Sequence, residues 1–384
     1  MIGGKAAYLN RLYEKTKFMR TVEKDHIEGS SPPSVFIGRF GYPKVSVGPL
    51  VPETRGSTEI MDLPEEWLDS SNEAADIAAF RFQLLRGKQN VKINDVHNPV
   101  VEKTRNIALA KKSVDVDMAF EKKPRGIFIN EHMQPFGPSA PIKTVDIGNV
   151  KYEKKLEKAY HDTDLLARDA IIWLHNKGLY TSIIQKALSV GSFGLGRNRK
   201  LVPTRWSITA VDDTLGKDLL EKIRHYTVID SYKIYEFEQM KNKFVVLLTP
   251  NSWQYEFLEA FIRVFGNEEI LFSDYEHFHG RKDYASIGGC YYSTRLALTE
   301  FLEKEKKQAG AIVFRESYPG YVPLGVWLVR ECSRKAMEQK AKEFDDLNSA
   351  LNYISSRLWL PMARYRKQSV LLKQRRLNEF VLAQ

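Results

Sequence analysis

The sequence predicts a mixed α/β (α+β) chain, and three observations lead there. Apolar runs of strand length, such as Phe244-Val245-Val246-Leu247-Leu248, alternate with stretches of helical spacing such as 152–175. Glycine and proline clusters punctuate these patterns at short intervals. The 384 residues are 43% hydrophobic and 28% charged, ordinary values for a chain that buries a sizeable core, and long enough for two packed units. Strand order does not follow from the pattern. No apolar run approaches the roughly 18 residues of a membrane span. The N-terminus offers no secretory pattern, and two cysteines, Cys290 and Cys332, build no disulfide framework. A cytoplasmic, nucleoid-associated protein is expected, with no membrane partner.

Taken in order, Ala7, Leu9, Leu12 and Tyr13 suggest a short helix within residues 1–20. Val35 to Gly38 and Val45 to Val47 read as two strands around a Gly-Tyr-Pro turn. Asp62-Leu63-Pro64-Glu65-Glu66-Trp67 reads as a helix start, with proline and acids in the first turn. Ala74 to Arg86 reads as a helix stopped by Gly87. Residues 124–150 are a punctuation zone. Helices follow over Tyr152 to His175, ended by Gly178, and over Thr181 to Val190. Strands are expected at Trp206 to Val211, Val228 to Phe237 and Phe244 to Leu248, with a helix over Leu215 to His225. A helix near Gln254 to Val264 and a strand at Ile270 to Phe272 come next. Tyr291 to Lys307 reads as helix, Ala311 to Arg315 and Gly325 to Arg330 as strands, and Arg334 to Phe344 as helix. Domain expectations are 1–270, 271–356 and a basic, flexible tail at 357–384.

Lys and Arg number 58 against 48 acids, a net +10 compatible with a polyanionic partner. Arg357, Arg364, Arg366, Lys367, Lys373, Arg375 and Arg376 face only Glu379 across residues 357–384. A second basic cluster lies in the loop 191–205, where Gly191, Gly194 and Gly196 accompany Arg197, Arg199, Lys200 and Arg205. Glycines expose backbone N–H groups to an anion and arginines supply forked donors for phosphate. The spacing matches neither nucleotide-binding glycine fingerprint, so a basic connector is an equal reading.

Other residues offer chemistry. Asp212 and Asp213 after the expected strand suit a divalent cation such as Mg2+, or cap the next helix. His277 and His279 would share one face of a strand, next to Asp274 and Glu276. Tyr292, in Gly288-Gly289-Cys290-Tyr291-Tyr292-Ser293-Thr294-Arg295, sits where a turn feeds a helix whose N–H groups suit a nucleotide phosphate. Glu316 or Glu331 is the acid that a transferase reading would enlist. Each also has an ordinary structural role in a core or cap.

The sharpest pattern closes the chain. Gln374, Leu377 and Phe380 stand at offsets 0, 3 and 6, and one 3₁₀ turn eclipses residues three apart. Leu377 and Phe380 then form one apolar plug while Gln374 hydrogen-bonds, the logic of a sliding-clamp-binding motif. Chance gives this pattern about once in two hundred among ten terminal start positions. Its position therefore counts for the motif.

Four segments carry a family resemblance: Gln134-Pro135-Phe136-Gly137-Pro138-Ser139-Ala140, residues Gly194 to Asp213, Gly288 to Ala297, and Pro323-Leu324-Gly325-Val326-Trp327. In these the chain resembles the archaeal Nre proteins, DNA repair factors that work with the sliding clamp PCNA. The resemblance implies a repair factor recruited to DNA by PCNA through Gln374, Leu377 and Phe380, and it names no reaction. Val381 replaces the second aromatic of many clamp motifs. The N-terminal cysteines of some relatives are absent around Gly3-Gly4-Lys5, so no zinc is expected. One alternative is an enzyme acting on nucleic acid or nucleotide: a metal-dependent nuclease using Asp212, Asp213 and His277, or an NAD-using transferase using Tyr292 and Glu316. A structural adaptor is the other.

Overall fold

The structure, a computed structural model, describes residues 22–374 except 71, 72, 128, 130 and 265. The chain forms two compact units, one from residues up to 218 with 323–328, the other from 219–322 with the residues from 329 on. The mixed α/β class is what the structure shows. The helix expected within 1–20 lies outside the described residues.

The first unit contains β1 (His26–Ser31), β2 (Phe36–Ile37), β3 (Lys44–Gly48), β4 (Leu50–Val51), α1 (Pro64–Trp67), α2 (Ala74–Gln83), β5 (Leu85–Lys92), α3 (Pro99–Ala108), β6 (Val114–Phe120) and β7 (Ser139–Ile147). Helices α4 (Lys154–His161), α5 (Ala167–Asn176) and α6 (Thr181–Ser189) come after them. Its seven-stranded sheet runs β1-β6-β7-β5-β3-β2, with β4 also on β5. Helix α3 begins where the Asn98 side chain accepts from the Val100 N–H at 3.1 Å and Pro99 presets the first turn. Its Val101 and Ala108 close on Val45, Val47 and Val91 of the sheet, and its Ile107 on Val114, Val116 and Leu85.

Strands β5 and β7 change neighbours partway along their length. Their parallel pairing covers only Arg86–Lys88 against Ser139–Pro141. Past that point β5 bonds to β3 (Gln89 to Lys92 against Val47 to Lys44). From Ile142, β7 bonds to β6. The sheet thus divides into two wings. Gly87 sits at the fork, where a Cβ would lie 2.5 Å from Met118 Sδ and 2.7 Å from Ile142 Cγ1. It admits close packing inside a strand and does not stop a helix, so α2 ends three residues earlier than expected.

The second unit holds α7 (Thr204–Ile223) from Leu219 on, then β8 (Thr227–Val228), β9 (Tyr232–Gln239), β10 (Asn242–Thr249), β11 (Gln254–Ile262), β12 (Glu269–Glu276), α8 (Gly289–Glu305), β13 (Lys307–Gln308) and β14 (Gly310–Ser317). It ends with α9 (Val326–Met337) from Val329 on, β15 (Lys342–Phe344), α10 (Leu347–Arg357) and α11 (Met362–Gln368). The six-stranded sheet runs β12-β11-β14-β10-β9-β15, and β8 pairs with β13. Val245, Leu247, Leu258 and Phe314 pack on one face against Ala350, Leu351 and Ile354 of α10, with Tyr365 and Leu371 beyond.

Several expected elements are corrected. The strand at Trp206 to Val211 belongs to α7: its β-branched residues suggest a strand, but Ser207, Ile208, Val211, Asp212 and Leu215 bury one helical stripe. Gln254 to Val264 is strand β11, whose acids Glu256 and Glu259 mimic a helical polar face although both are fully buried. Gly325 to Arg330 opens α9. The helix expected to reach Phe344 stops at Met337, and 342–344 pairs with β9. The helix over Tyr152 to His175 is two, separated where Asp162 Oδ1 accepts from the Leu165 N–H at 3.1 Å.

Candidate nucleic-acid interface

The loop after α6 turns through Gly191 at φ +70°, where a Cβ would lie 2.9 Å from the Lys200 carbonyl oxygen. This glycine lets the loop close on itself. A single 3₁₀ turn, Gly196–Asn198, comes next. Arg199 holds the loop shut: Nε donates to the Gly194 carbonyl at 2.9 Å, Nη1 to the Tyr160 carbonyl at 2.7 Å and Nη2 to the Asp162 carbonyl at 2.8 Å. Burial lowers its pKa. With its fork engaged by carbonyls, Arg199 is a brace, while Arg197 and Lys200 are exposed. Arg205 is half-buried in the first turn of α7.

Lys200 is not isolated. The next residue, Leu201, donates its N–H to the Ile93 carbonyl at 2.8 Å, and Ile93 donates to the Pro43 carbonyl at 2.9 Å. These bonds bring the loop, the end of β5 and the start of β3 together. Lys44 and Lys92 are direct cross-strand partners there, and both are exposed. Like charges directly opposite are destabilising unless an anion lies over them. Beneath the same face Arg86 is buried with its guanidinium 3.6 Å from the Phe36 ring centroid, and its Nη2 donates to Ser46 Oγ at 2.8 Å. No carboxylate pairs with it among the described residues, and burial pushes its pKa down to about 9. Lys88, on the same strand, is also lowered, first by burial and then by the charges of Arg86 and Lys122.

The catalytic candidates fall in separate local settings. Asp212 and Asp213 lie in mid-helix, so they cap nothing. Asp212 is fully buried and accepts from Gln185 Nε2 at 2.9 Å, while Asp213 pairs with Lys217 at 2.7 Å. Successive helical positions point about 100° apart, so the two carboxylates leave the helix in different directions. His277 and His279 are exposed in the turn past β12, and the His277 carbonyl accepts from the Gly280 N–H. Neither these histidines nor the two aspartates belong to a group of three close metal-ligand atoms among the described residues. Tyr292 is buried, its hydroxyl accepting from the Ala285 N–H at 2.9 Å.

Glu316 is fully buried and serves the C-terminal segment. Its Oε1 accepts from the Leu360 N–H at 2.8 Å and the Tyr365 hydroxyl at 2.9 Å; its Oε2 accepts from the Trp359 N–H at 2.8 Å and the Tyr318 hydroxyl at 2.7 Å. Glu256 on β11 repeats the device one turn later. It takes the Val370 N–H at 2.8 Å, the Leu371 N–H at 3.0 Å and the Ser369 hydroxyl. The flexible tail expected at 357–384 therefore does not describe the stretch through Ser369 and Leu371, which are buried. A 3₁₀ turn, Leu371–Lys373, ends the described packing, and Gln374 comes directly after it. Leu377 and Phe380 lie outside the described residues. The sequence signal for these anchors was present, two acids inside apolar strands, but it reads equally well as a helix face.

The family-like segments prove to be packing elements. The Pro135 carbonyl accepts from Arg81 Nε at 2.9 Å, and Arg81 forms a buried ion pair with Asp62 at 2.8 Å. Phe136 lies 4.5 Å from Phe36, the ring under Arg86.

Comparison with known proteins agrees across the chain. The family described as Archaeal Nre, N-terminal, matches residues 4–264, and Archaeal Nre, C-terminal, matches 276–380. DNA repair protein NreB of Archaeoglobus fulgidus is 44% identical over 375 residues, covering 94% of this chain and 93% of the relative. DNA repair protein NreA of the same organism is 36% identical, covering 90% and 89%, and that of Haloferax volcanii is 31% identical, covering 92% and 88%. No solved structure matches. Carrying both halves of the family in order and nearly the full length of its relatives, the chain belongs to the archaeal Nre family.

Proposed function

We propose that this chain is a DNA repair factor recruited to DNA through the PCNA sliding clamp by Gln374, Leu377 and Phe380, with DNA contacts from Arg197, Lys200 and the basic C-terminal segment. The repair role is supported by relatives named for DNA repair along almost their whole length. One observation carries the recruitment reading. Glu316 and Glu256 fasten residues 359–371, a single 3₁₀ turn comes next, and the motif begins with Gln374, the residue after that turn. The body thus presents the motif at a fixed departure point. No described helix is long and apolar enough to cross a membrane.

Calorimetry of the full chain with an archaeal clamp tests this. Seating one short ordered turn is worth about −8 kcal/mol, a micromolar Kd. Leu377→Ala with Phe380→Ala removes most of it. Clamp binding that survives deletion of residues 374–384 refutes recruitment by this motif.

A further inference from the structure

We propose that the cleft between the two wings of the first unit's sheet binds single-stranded DNA, stacking bases on Phe40 and on the Tyr42–Trp206 pair and holding phosphates on Lys88, Lys143, Lys44 and Lys92. This deepens the DNA-repair reading and rests on it. The cleft opens where β5 leaves β7 and has a volume of about 760 Å³. Lys88, Gln89 and Asn90 line one wall, Lys143 and Thr144 the other, and Phe40 stands at its edge. Glu121 is the one acid in the lining, against Lys88, Lys103 and Lys143. Lys103 is engaged by Asp146 at 2.8 Å; Lys88 and Lys143 are not ion-paired among the described residues.

Three features fit one ligand. The first is charge: Ser46 in the lining takes the Nη2 donor of Arg86, so a buried guanidinium with no described carboxylate partner stands behind the cleft. A polyanion supplies the missing countercharge. The second is the aromatic surface. Phe40 is 78% exposed, Tyr42 48% and Trp206 43%, and the last two rings lie 5.0 Å apart. Arg39 lies over the Phe40 ring at 5.1 Å. Rings this exposed gain from stacking on unpaired bases, which a duplex keeps inside its own stack. The third is rigidity: Thr204 Oγ1 at the start of α7 accepts from the Ile37 N–H at 2.9 Å, so the element bearing Trp206 is tied to the hairpin bearing Phe40 and Tyr42. Gln89 and Asn90 offer amides to base edges without demanding one sequence.

The test is fluorescence anisotropy of a labelled oligothymidylate titrated with the full chain at several salt concentrations. Phe40→Ala with Trp206→Ala weakens binding by about 10-fold or more, while F40W retains it. Lys88→Gln with Lys143→Gln lowers the slope of log affinity against log salt by about 1.4, or 0.7 per phosphate contact. Circular dichroism melts confirm that each variant folds. Wild-type affinity in the aromatic variant, tighter binding of duplex than of single strand, or tighter binding of RNA than of DNA each overturns the proposal. Clamp binding is measured on the same samples. Its loss in the Leu377/Phe380 variant with oligonucleotide binding intact leaves the cleft standing, and the converse result removes the cleft alone.

Discussion

Replacing Glu316 separates a structural acid from a catalytic one. The carboxylate accepts four hydrogen bonds, two of them from donors that water cannot reach once it is gone: the Leu360 N–H and the Tyr365 hydroxyl, both in residues no more than 1% exposed. Trp359 is 58% exposed, so its N–H can be rehydrated. Each orphaned buried donor costs about 1–3 kcal/mol, so Glu316→Ala loses about 4 kcal/mol. Glu316→Gln keeps one acceptor oxygen and sets an amide against two donors, losing about half of that. At about 2–4 °C per kcal/mol for a domain of this size, the alanine variant melts about 10 °C lower. Residues 359–371 should also become sensitive to protease after Arg357, because the lost bonds are the ones that fasten them. An alanine variant with wild-type melting and a protected segment, but without a measurable activity, would refute the structural role.

Burial raises the Glu256 pKa above its ordinary 4.5, outweighing the Ser369, Val370 and Leu371 bonds that lower it. A raised native pKa means stability that is fully present below about pH 4.5 and lost as pH rises through the raised value. The stability of wild type relative to Glu256→Gln in urea should therefore fall with rising pH; a flat or rising difference contradicts it. Arg199→Lys keeps the charge but breaks the three-carbonyl brace, costing about 1–2 kcal/mol, with little change in salt-dependent DNA binding. Arg197→Ala with Lys200→Ala should do the reverse, and a larger binding loss from Arg199→Lys would restore Arg199 as a contact. Asp62→Ala strands Arg81 and Lys186, whose ammonium lies 3.7 Å from the same carboxylate, and should cost about 3–5 kcal/mol by chemical denaturation.

Much of the fold was legible where one periodicity held without competition. Phe244 to Leu248, Ala311 to Arg315, Thr181 to Val190 and Tyr291 to Lys307 match strands and helices to within a few residues. Reading failed where burial on both sides removed the contrast that periodicity needs. In β11, Glu256 and Glu259 mark bonding partners more than a hundred and more than fifty residues away, which no local window reports. The β-branched start of α7 is helical because its buried stripe extends to Leu215, beyond the short strand window. The basic loop was visible as composition, but the brace made by Arg199 depends on carbonyls of Tyr160 and Asp162. The cleft left only a faint trace, two aromatics within the turn Phe40-Gly41-Tyr42-Pro43, because its walls come from strands fifty residues apart.

The docking of residues 359–371 also bears on geometry at a clamp. Recruitment motifs on long disordered tails act as leashes, letting the cargo explore a wide volume around the ring. Here Gln374 and Leu377 are three residues apart, about 10 Å when extended. Under the proposed recruitment, anchoring by Glu256 through Leu371 would leave little slack between the second unit and the clamp pocket. Such a mount would hold its cargo in a narrow range of orientations, so neighbouring pockets of one ring would compete for space. Lengthening the segment between Lys373 and Gln374 with glycine and serine would preserve affinity for the clamp while relaxing that crowding.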